Sequence, residues 1–225
     1  VTSPAPATVQ VQRKVDGRWR TGEEVTTDAE GRWQSRVGGQ SPGYLRYRVV
    51  RAAGNGLAQA VTDLGALDVY RLATYRIETR GRVAANLPVF PRIVADTLDD
   101  PRGWSRAHVR FREVAGRGGF TVVLAQAAQL PGFSGQCSVT YSCRVGRFVI
   151  INDIRWRTGS PYFPGDRLTY RQMLVNHETG HWLGHGHASC PGRGRPAPVM
   201  QQQSKGMQGC RVNPWPLPGE IASIR

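Results

Sequence analysis

The sequence predicts an α+β fold in which a small all-β domain precedes a larger domain of mixed helices and strands. Two observations predict it. Residues 7–62 place apolar side chains at every second position between turn residues, which is the period of half-buried strands. From about residue 68 the pattern changes, and strand-like segments alternate with helix-like segments. We therefore predict an immunoglobulin-like β-sandwich at residues 1–66, acting as a spacer or binding module, and a mixed domain at residues 67–225.

Short alternating segments and turn residues predict the β structure of the first domain. Leu45, Tyr47 and Val49 share one face of an extended chain, and the two arginines between them share the other. The same alternation predicts strands at residues 7–15 (ATVQVQRKV) and 32–37 (RWQSRV). Turn signals stand between such segments: DG at 16–17, AEG at 29–31 and GNG at 54–56. This spacing is typical of a small β-sandwich, and an extension of the following sheet is the alternative.

Strands and helices are predicted in mixed order along the second domain. Alternating or continuous apolar segments predict strands at residues 73–79, 107–114, 120–125, 136–143 and 147–153. A helix is predicted over residues 85–100, although two prolines leave its first residue open. A second helix is predicted over residues 166–184, with Asp166 as its N-cap and Gly184 as its stop signal.

The charge of the chain is strongly positive, with 30 Lys and Arg residues against 16 Asp and Glu residues. Such an excess is compatible with nucleic acid, anionic lipid or acidic cell-wall polymer as a partner. The basic residues are almost all arginines, scattered without a run of five, and no ladder of aromatic residues accompanies them. A compositional preference for arginine explains the same numbers, so nucleic acid is not expected as a partner.

Neither a transmembrane segment nor a signal peptide is expected in this chain. The longest apolar stretches, FTVVLA and RFVIIND, fall far short of the roughly 18–20 residues that cross a bilayer. The initial segment VTSPAPAT has no basic start and no apolar middle, so we interpret it as a Pro/Ala/Thr linker. An export signal, if the protein has one, is therefore expected upstream of this sequence.

Four cysteines predict two disulfide bonds, Cys137 with Cys143 and Cys190 with Cys210. Three pairings are possible, and the local one is the natural choice because no Cys-x-x-Cys suggests a redox pair or a zinc ribbon. Each bridge would stabilise the fold by about 2–3 kcal/mol by restricting the unfolded chain. Disulfides form in oxidising compartments, so an extracellular or cell-surface location is expected. Four reduced thiols in a cytosolic protein are the alternative.

Residues 177–187, HETGHWLGHGH, hold four of the five histidines of the chain. His177 and His181 are four residues apart on the predicted helix, so their side chains share one face with Cβ atoms about 5–6 Å apart. Gly184 can adopt a positive φ and let the chain turn, which brings His187 towards the same point. A catalytic zinc ion takes three protein ligands and keeps an open position. The spacing therefore predicts a zinc site made of these three histidines.

Glu178 supplies the general base that a hydrolytic zinc site requires. It adjoins His177 and lies three residues before His181, so its side chain projects beside the metal-binding face of the helix. Zinc lowers the pKa of a coordinated water to about 7. A nearby carboxylate then takes the proton of that water as it attacks a carbonyl group, and passes the proton to the leaving amine. These residue types predict hydrolysis of peptide bonds.

The eleven residues fit the pattern H-E-x-x-H-x-x-G-x-x-H without a mismatch, and in this the sequence resembles the metzincin zinc metallopeptidases. Those enzymes also have a methionine in a turn below the metal, for which Met200 is the best counterpart and Met207 the second choice. More narrowly, residues 70–225 resemble an actinobacterial family that is catalogued as a domain of unknown function and predicted to contain metallopeptidases. The stretches that carry this likeness are DPRGW, the Cys137–Cys143 segment, VNHETGHWLGHGH, and CPGRGRPAPVMQQQ followed by GCRVNPWP.

The resemblance implies a metzincin-like (zincin) fold with a mixed twisted sheet and an active-site helix. It also implies that a peptide substrate binds in extended form along an edge strand, which we expect within residues 133–143. The roles that it assigns are zinc ligands for His177, His181 and His187, general base for Glu178, and the turn methionine for Met200. Met200→Leu should cost little activity, because that side chain is expected to support the site by packing.

Three positions near the motif bear on specificity or on the extent of the site. Gln202 stands where many metzincins have a tyrosine, and Ala188 follows the third histidine in place of a subfamily marker residue, so substrate preference is left open. His185 lies outside the ligand spacing and is expected at the surface or as a hydrogen-bond donor to a ligand. The arginine content gives the further hypothesis that the cleft prefers acidic peptides.

Other functions stay open at this point. Cys190, three residues after His187, would be the fourth ligand of a closed structural zinc site if it were not in a disulfide. A non-catalytic surface protein would use zinc for stability and its first domain to bind a cell wall or a protein partner. An amidase acting on cell-wall peptides would share the zinc chemistry. The intact Glu178 favours a zinc endopeptidase, because a structural or binding site does not need it.

Overall fold

The computed structural model describes residues 7–36, 38, 40–54 and 58–224 and has an α+β fold with two separate sheets. The chain divides into two compact units, Val1–Tyr70 and Arg71–Arg225, so the division falls four residues beyond the boundary expected at residue 66. Among the described residues, no helix has both the length and the apolar character needed to cross a membrane.

The first unit contains a four-stranded antiparallel sheet in the order β2-β1-β3-β4. Its strands are β1 (Thr8–Val15), β2 (Arg18–Thr26), β3 (Gly43–Arg51) and β4 (Ala60–Val69). Asp16 and Gly17 join the first two strands with φ angles of +49° and +77°, which is the conformation of a tight hairpin turn. Alternate residues of β1 and β3 form a small buried cluster of Val9, Val11, Tyr47 and Val49. The strands predicted at residues 7–15 and around Tyr47 are confirmed.

The strand predicted at residues 32–37 is wrong: residues 32–36 are irregular, and residue 37 lies outside the described residues. The carboxylate of Asp28 accepts hydrogen bonds from the backbone N–H groups of Glu30 and Arg32, at 3.0 and 2.8 Å, and holds the chain in a turn instead. The predicted turn at residues 29–31 is therefore present. The place beside β1 belongs to β2, whose mostly exposed side chains give little alternation.

Two further expectations for the first unit are not confirmed by the described residues. They form one sheet, so the second layer of an immunoglobulin-like sandwich is not seen among them. The turn predicted at GNG lies largely outside the described residues, since residues 55 and 56 are not among them.

The second unit contains a mixed five-stranded sheet in the order β6-β5-β7-β9-β8. Four strands run parallel and the short β8 runs antiparallel to β9. The strand bounds are β5 (Arg71–Arg80), β6 (Val109–Glu113), β7 (Phe120–Ala125), β8 (Cys143–Val145) and β9 (Phe148–Asn152). Every side chain of β7 is buried, as its continuous apolar run predicts for a strand covered on both faces.

Helices cover this sheet and enclose the main core of the second unit. They are α1 (Val89–Asp99), α2 (Asp153–Thr158), α3 (Arg167–Trp182) and α4 (Pro218–Ala222), with 3₁₀ turns at Trp104–Ala107 and Ala127–Gly132. The helix predicted at residues 85–100 begins only at Val89, because Pro88 occupies its N-cap. Phe90, Trp104, Trp156 and Tyr170 are among the fully buried side chains of this core.

The strand predicted at residues 136–143 is wrong for most of its length, and the edge strand β8 begins only at Cys143. The Asn152 side chain donates a hydrogen bond to the carbonyl of Val139 at 2.9 Å, and the Asn152 N–H donates to the hydroxyl of Ser142 at 3.1 Å. The segment therefore satisfies its polar groups through side chains, not through a neighbouring strand. Both predicted disulfides are present, Cys137–Cys143 and Cys190–Cys210.

Candidate metal centre

The helix that carries the candidate site is α3, and its two ends are fixed by the residues that predicted them. Asp166 accepts hydrogen bonds from the backbone N–H groups of Leu168 and Thr169, at 2.8 and 3.0 Å, and so caps the helix. The helix ends at Trp182. Gly184 follows with φ of +105°, a conformation that side-chain-bearing residues rarely adopt, and redirects the chain.

Three histidine side chains converge on one point, two from this helix and one from the segment after it. The ligand atoms of His177, His181 and His187 all lie within 4.8 Å of one another, and this cluster can hold a metal ion. The Nε2 atoms of His181 and His187 are 3.2 Å apart. Burial decreases from His177, which is 7% exposed, to the exposed His187, so the site is open to solvent on the side of the third histidine.

Backbone carbonyl groups orient two of the three rings. The Nδ1 atom of His177 is 2.8 Å from the Val199 carbonyl oxygen, and the Nδ1 atom of His181 is 2.8 Å from the His185 carbonyl oxygen. Because a carbonyl oxygen can only accept a hydrogen bond, each Nδ1 donates a proton and each Nε2 keeps its lone pair. Such backbone contacts are typical of histidines that bind metals through the other ring nitrogen. The donor set therefore fits a metal ion.

The surroundings favour the neutral form of all three imidazoles. Burial lowers the pKa of His177 to about 3, with a further contribution from the neighbouring His181. Burial is also the main cause of the lowered pKa values of His181 and His187, and the positive charge of Lys205 acts in the same direction on His187. Neutral imidazoles keep the lone pairs that metal binding requires.

The turn at Met200 contacts the segments on both sides of the site. The carbonyl of Met200 accepts a hydrogen bond of 3.0 Å from the N–H of Ala188, the residue that follows the third histidine. The carbonyl of the preceding Val199 holds His177. The Met200 side chain is buried, and it packs so close to Gly180 of α3 that a Cβ there would lie 2.3 Å from the methionine sulfur.

Glu220 of α4 fixes this turn and was not predicted from the sequence. Its carboxylate accepts hydrogen bonds from the backbone N–H groups of Val199 at 3.1 Å, Met200 at 2.8 Å and Leu217 at 2.7 Å. A contact that spans 20 residues leaves no local pattern. The one sequence signal is a glutamate three residues after the N-cap of a short helix, a position that is typical of capping.

Glu178 is buried beside the histidines without a structural partner. Its side chain is 3% exposed, and its Oε2 atom has no hydrogen-bond partner among the described residues. Burial raises the pKa of Glu178 to about 8, and the positive charge of Arg144 acts against this shift. Burying a carboxyl group without a hydrogen bond costs free energy. No hydrogen bond to Oε2 among the described residues offsets this cost, so a role in holding the fold together does not explain Glu178. A cation at the three histidines would stabilise its charged form.

The histidines and Glu178 lie on a cleft of about 430 Å³. Helix α3 forms its floor and also contributes Met173 and Leu174, which are buried one turn before the first histidine. One wall consists of residues from 136 to 145, including β8, and the other of residues 202–205 after the methionine turn. The cleft therefore passes beside the edge strand, whose bounds differ from those expected from the sequence.

Arg144 belongs to β8 and ties this wall to the helix. Its guanidinium group donates a hydrogen bond of 2.8 Å to the carbonyl oxygen of His181, near the end of α3. Cationic side chains are favourable at that end of a helix, where unpaired carbonyl groups collect. The contact fixes the distance between the edge strand and the residues that can hold a metal.

The other candidate residues lie near the site without forming part of the cluster. The ring of His185 stacks on Trp104 with centroids 5.0 Å apart, and only its backbone carbonyl touches a ligand candidate. Cys190 is bonded to Cys210, so it is not a fourth ligand. Gln202 lines the cleft. Trp104, which also donates a hydrogen bond of 3.0 Å to the backbone of α3, lies in the DPRGW stretch that carried the resemblance.

Fold and site together define an α+β protein of two units with three histidines that can hold a metal ion. The chain belongs to the family described as Protein of unknown function (DUF3152), whose model matches residues 43–218. The match begins with β3 of the first unit and therefore reaches further towards the N-terminus than the resemblance from residue 70. No curated protein matches the sequence.

Proposed function

We propose that this protein is a zinc-dependent endopeptidase. The observation that carries the proposal is the position of Glu178, an unpaired carboxyl group buried next to three converging imidazoles in an accessible cleft. A site that only stabilised the fold would be closed by a fourth ligand and would not need this carboxylate. The described cysteines offer no such ligand, since all are in disulfides.

The residues of the chain divide the work of peptide hydrolysis among them. His177, His181 and His187 would hold zinc, which when bound supplies Lewis acidity towards water and a carbonyl oxygen. Glu178 accepts the proton of the attacking water and returns it to the leaving amine. The cleft walls hold an extended peptide beside β8, where main-chain hydrogen bonds to an edge strand would fix its position.

We further propose that the protein works outside the cytoplasm, with the first unit as a spacer or as a module that binds a wall or protein partner. Two disulfides fit an extracellular setting, because such bonds persist in oxidising compartments. The site chemistry does not depend on this assignment.

The test compares zinc-loaded wild-type protein, zinc-loaded Glu178→Gln and a chelated sample on a diverse peptide library analysed by mass spectrometry. Gln has nearly the volume of Glu but cannot accept a proton, so we expect cleavage by the wild type alone. Metal analysis of each sample is the control, and Glu178→Gln should hold one equivalent of zinc as the wild type does. A wild type that holds zinc and cleaves no peptide, or a variant that cleaves as well as the wild type, would contradict the proposal.

A further inference from the structure

The cleft beside the histidines is positively charged. Lys205 and Arg144 stand on its two walls, and both side chains are exposed. Of the side chains that line the cleft in the described part of the chain, Glu178 is the only acid, and it is buried next to the histidines. Any ligand in this cleft therefore meets two positive charges without an exposed negative one.

Lys205 has no acidic partner in the part of the chain that the structure describes, and an aromatic contact holds it at the cleft. Its ammonium nitrogen lies 5.2 Å from the centre of the Tyr141 ring, which also lines the cleft. The guanidinium group of Arg155 lies 5.6 Å from the centre of the same ring. A contact with an aromatic face orients a cation but leaves its charge and its hydrogen-bond donors available. Arg144, by contrast, already donates one hydrogen bond to the backbone of α3.

The apolar residues of α3 at the cleft do not add a second requirement. Met173 and Leu174, one helical turn before the first histidine, are only 1% and 3% exposed and belong to the buried core, so they present almost no surface to a ligand. The exposed charges at the cleft are those of Lys205 and Arg144. A carboxylate is the ligand group that complements them.

We propose that this cleft selects peptides with a carboxylate next to the scissile bond, and that Lys205 is the residue that recognises it. The inference rests on the proposed peptidase function and names its substrate class. The carboxylate can belong to a glutamate-type side chain or to a free C-terminus, since the charge and the donor groups are the same for both. Lys205 is exposed, so the preference is modest, about threefold to fivefold, as expected for a solvent-screened ion pair.

The test uses binding as well as cleavage. Zinc-loaded Glu178→Gln protein is immobilised, so that peptides are retained without turnover. Heptapeptide pools carry Glu, Gln or Lys at the central position, random residues elsewhere and blocked ends, and a further Gln pool has a free C-terminus. Retained peptides are quantified by mass spectrometry. We expect about threefold to fivefold enrichment of the Glu pool over the Gln pool. Enrichment of only the free-terminus pool would also support the inference and assign the carboxylate to the terminus.

Charge variants separate a local contact from the general positive charge of the protein. Lys205→Gln should bring the Glu-to-Gln ratio close to one, and Lys205→Glu should favour the Lys pool. Arg92→Glu is the matched control, because it makes the same charge change on an exposed position of α1 that does not line the cleft. If Arg92→Glu lowers the ratio as much as Lys205→Glu, or if all pools are retained equally, the inference is overturned.

The same pools, cleaved by the wild type, distinguish this inference from the proposed function. Cleavage of all pools at equal rates with equal retention would leave the peptidase proposal standing and remove the carboxylate preference. Retention that depends on Lys205 without cleavage of any pool would support the carboxylate preference and contradict the peptidase proposal.

Discussion

The carboxylate of Glu220 accepts a hydrogen bond of 2.8 Å from the backbone N–H of Met200, and through this bond α4 is linked to the histidine cluster. The carbonyl of Met200 holds the residue after His187, and the carbonyl of Val199 holds the ring of His177. Two of the three histidines therefore depend on a turn whose amide groups are bound by a single side chain. Supporting contacts of this kind affect both stability and metal affinity.

Replacing Glu220 should weaken zinc binding as well as folding. Gln keeps the size of the side chain but places an amide N–H₂ group where the carboxylate accepts from backbone N–H donors, so hydrogen bonds are lost. We expect Glu220→Gln to lower the free energy of unfolding by about 1–3 kcal/mol and the zinc affinity by about tenfold. Denaturant unfolding and competition with a chelating dye measure the two effects.

The control for this prediction is Glu113→Gln, the same chemical change at an exposed position of β6. It should leave zinc affinity unchanged. If Glu220→Gln lowers only the stability and zinc affinity stays at the wild-type value, Glu220 supports the fold but does not position the histidines.

Gly180 of α3 should not tolerate alanine, although alanine is the better helix former. A Cβ atom at Gly180 would lie 2.3 Å from the Met200 sulfur and 2.8 Å from a ring carbon of the buried Trp104. The helix-propensity gain of about 1 kcal/mol is opposed by an overpacking cost of about 1–3 kcal/mol. We expect Gly180→Ala to lower the free energy of unfolding, measured in denaturant.

Two variants test whether contact with Met200 is what excludes a side chain from Gly180. Gly219→Ala, in α4, places a methyl group where nothing lies within 4 Å, so it should be neutral or slightly stabilising. Combining Gly180→Ala with Met200→Ala should cost less than the sum of the single changes, because the smaller side chain at residue 200 removes the contact with the sulfur and leaves only that with Trp104. Strict additivity would show that the methionine is not what excludes a side chain from Gly180.

Sequence patterns predicted the parts of this protein whose interactions are local. Helix α3 has a side-chain cap at Asp166 and a turn at Gly184, and the histidine spacing follows directly from helical geometry. The apolar runs of β7 and β9 predicted those strands equally directly, because nearly all of their side chains are buried. The prediction failed in two places. In β2 most side chains are exposed, so no alternation of apolar and polar residues marks the strand. At residues 136–142 hydrogen bonds from side chains replace strand pairing.

The contacts that support the site could not be predicted from the sequence. Glu220 reaches its partners across about twenty residues, and Trp104 reaches the backbone of Asn176 across 72. Neither contact has a periodic or spaced motif. The candidate metal ligands His177 and His181, in contrast, stand at a fixed helical interval, so their pattern is visible before the fold is known.

Asp153, at the start of α2, joins that helix to the segment between β5 and α1. Its carboxylate is buried and accepts hydrogen bonds from the N–H groups of Ala84 and Ala85, at 3.2 and 3.0 Å, and from Arg157 at 3.1 Å. Three donors therefore converge on one charge, and a neutral amide in the same place would direct its own donor at them.

We expect Asp153→Asn to lower the free energy of unfolding by about 2–3 kcal/mol, since hydrogen bonds to a charged group are among the stronger ones. Scanning calorimetry measures the change, which is read from the transition of the second unit for Asp153→Asn and from that of the first unit for the comparison variant. The comparison is Asp63→Asn, which removes a carboxylate from an exposed ion pair with Arg46 and should cost no more than about 1 kcal/mol. Asp63 also accepts a hydrogen bond of 2.8 Å from the N–H of Gly65. Equal losses in the two variants would therefore mean that burial and the second backbone contact at Asp153 add nothing to an exposed pair with one such contact.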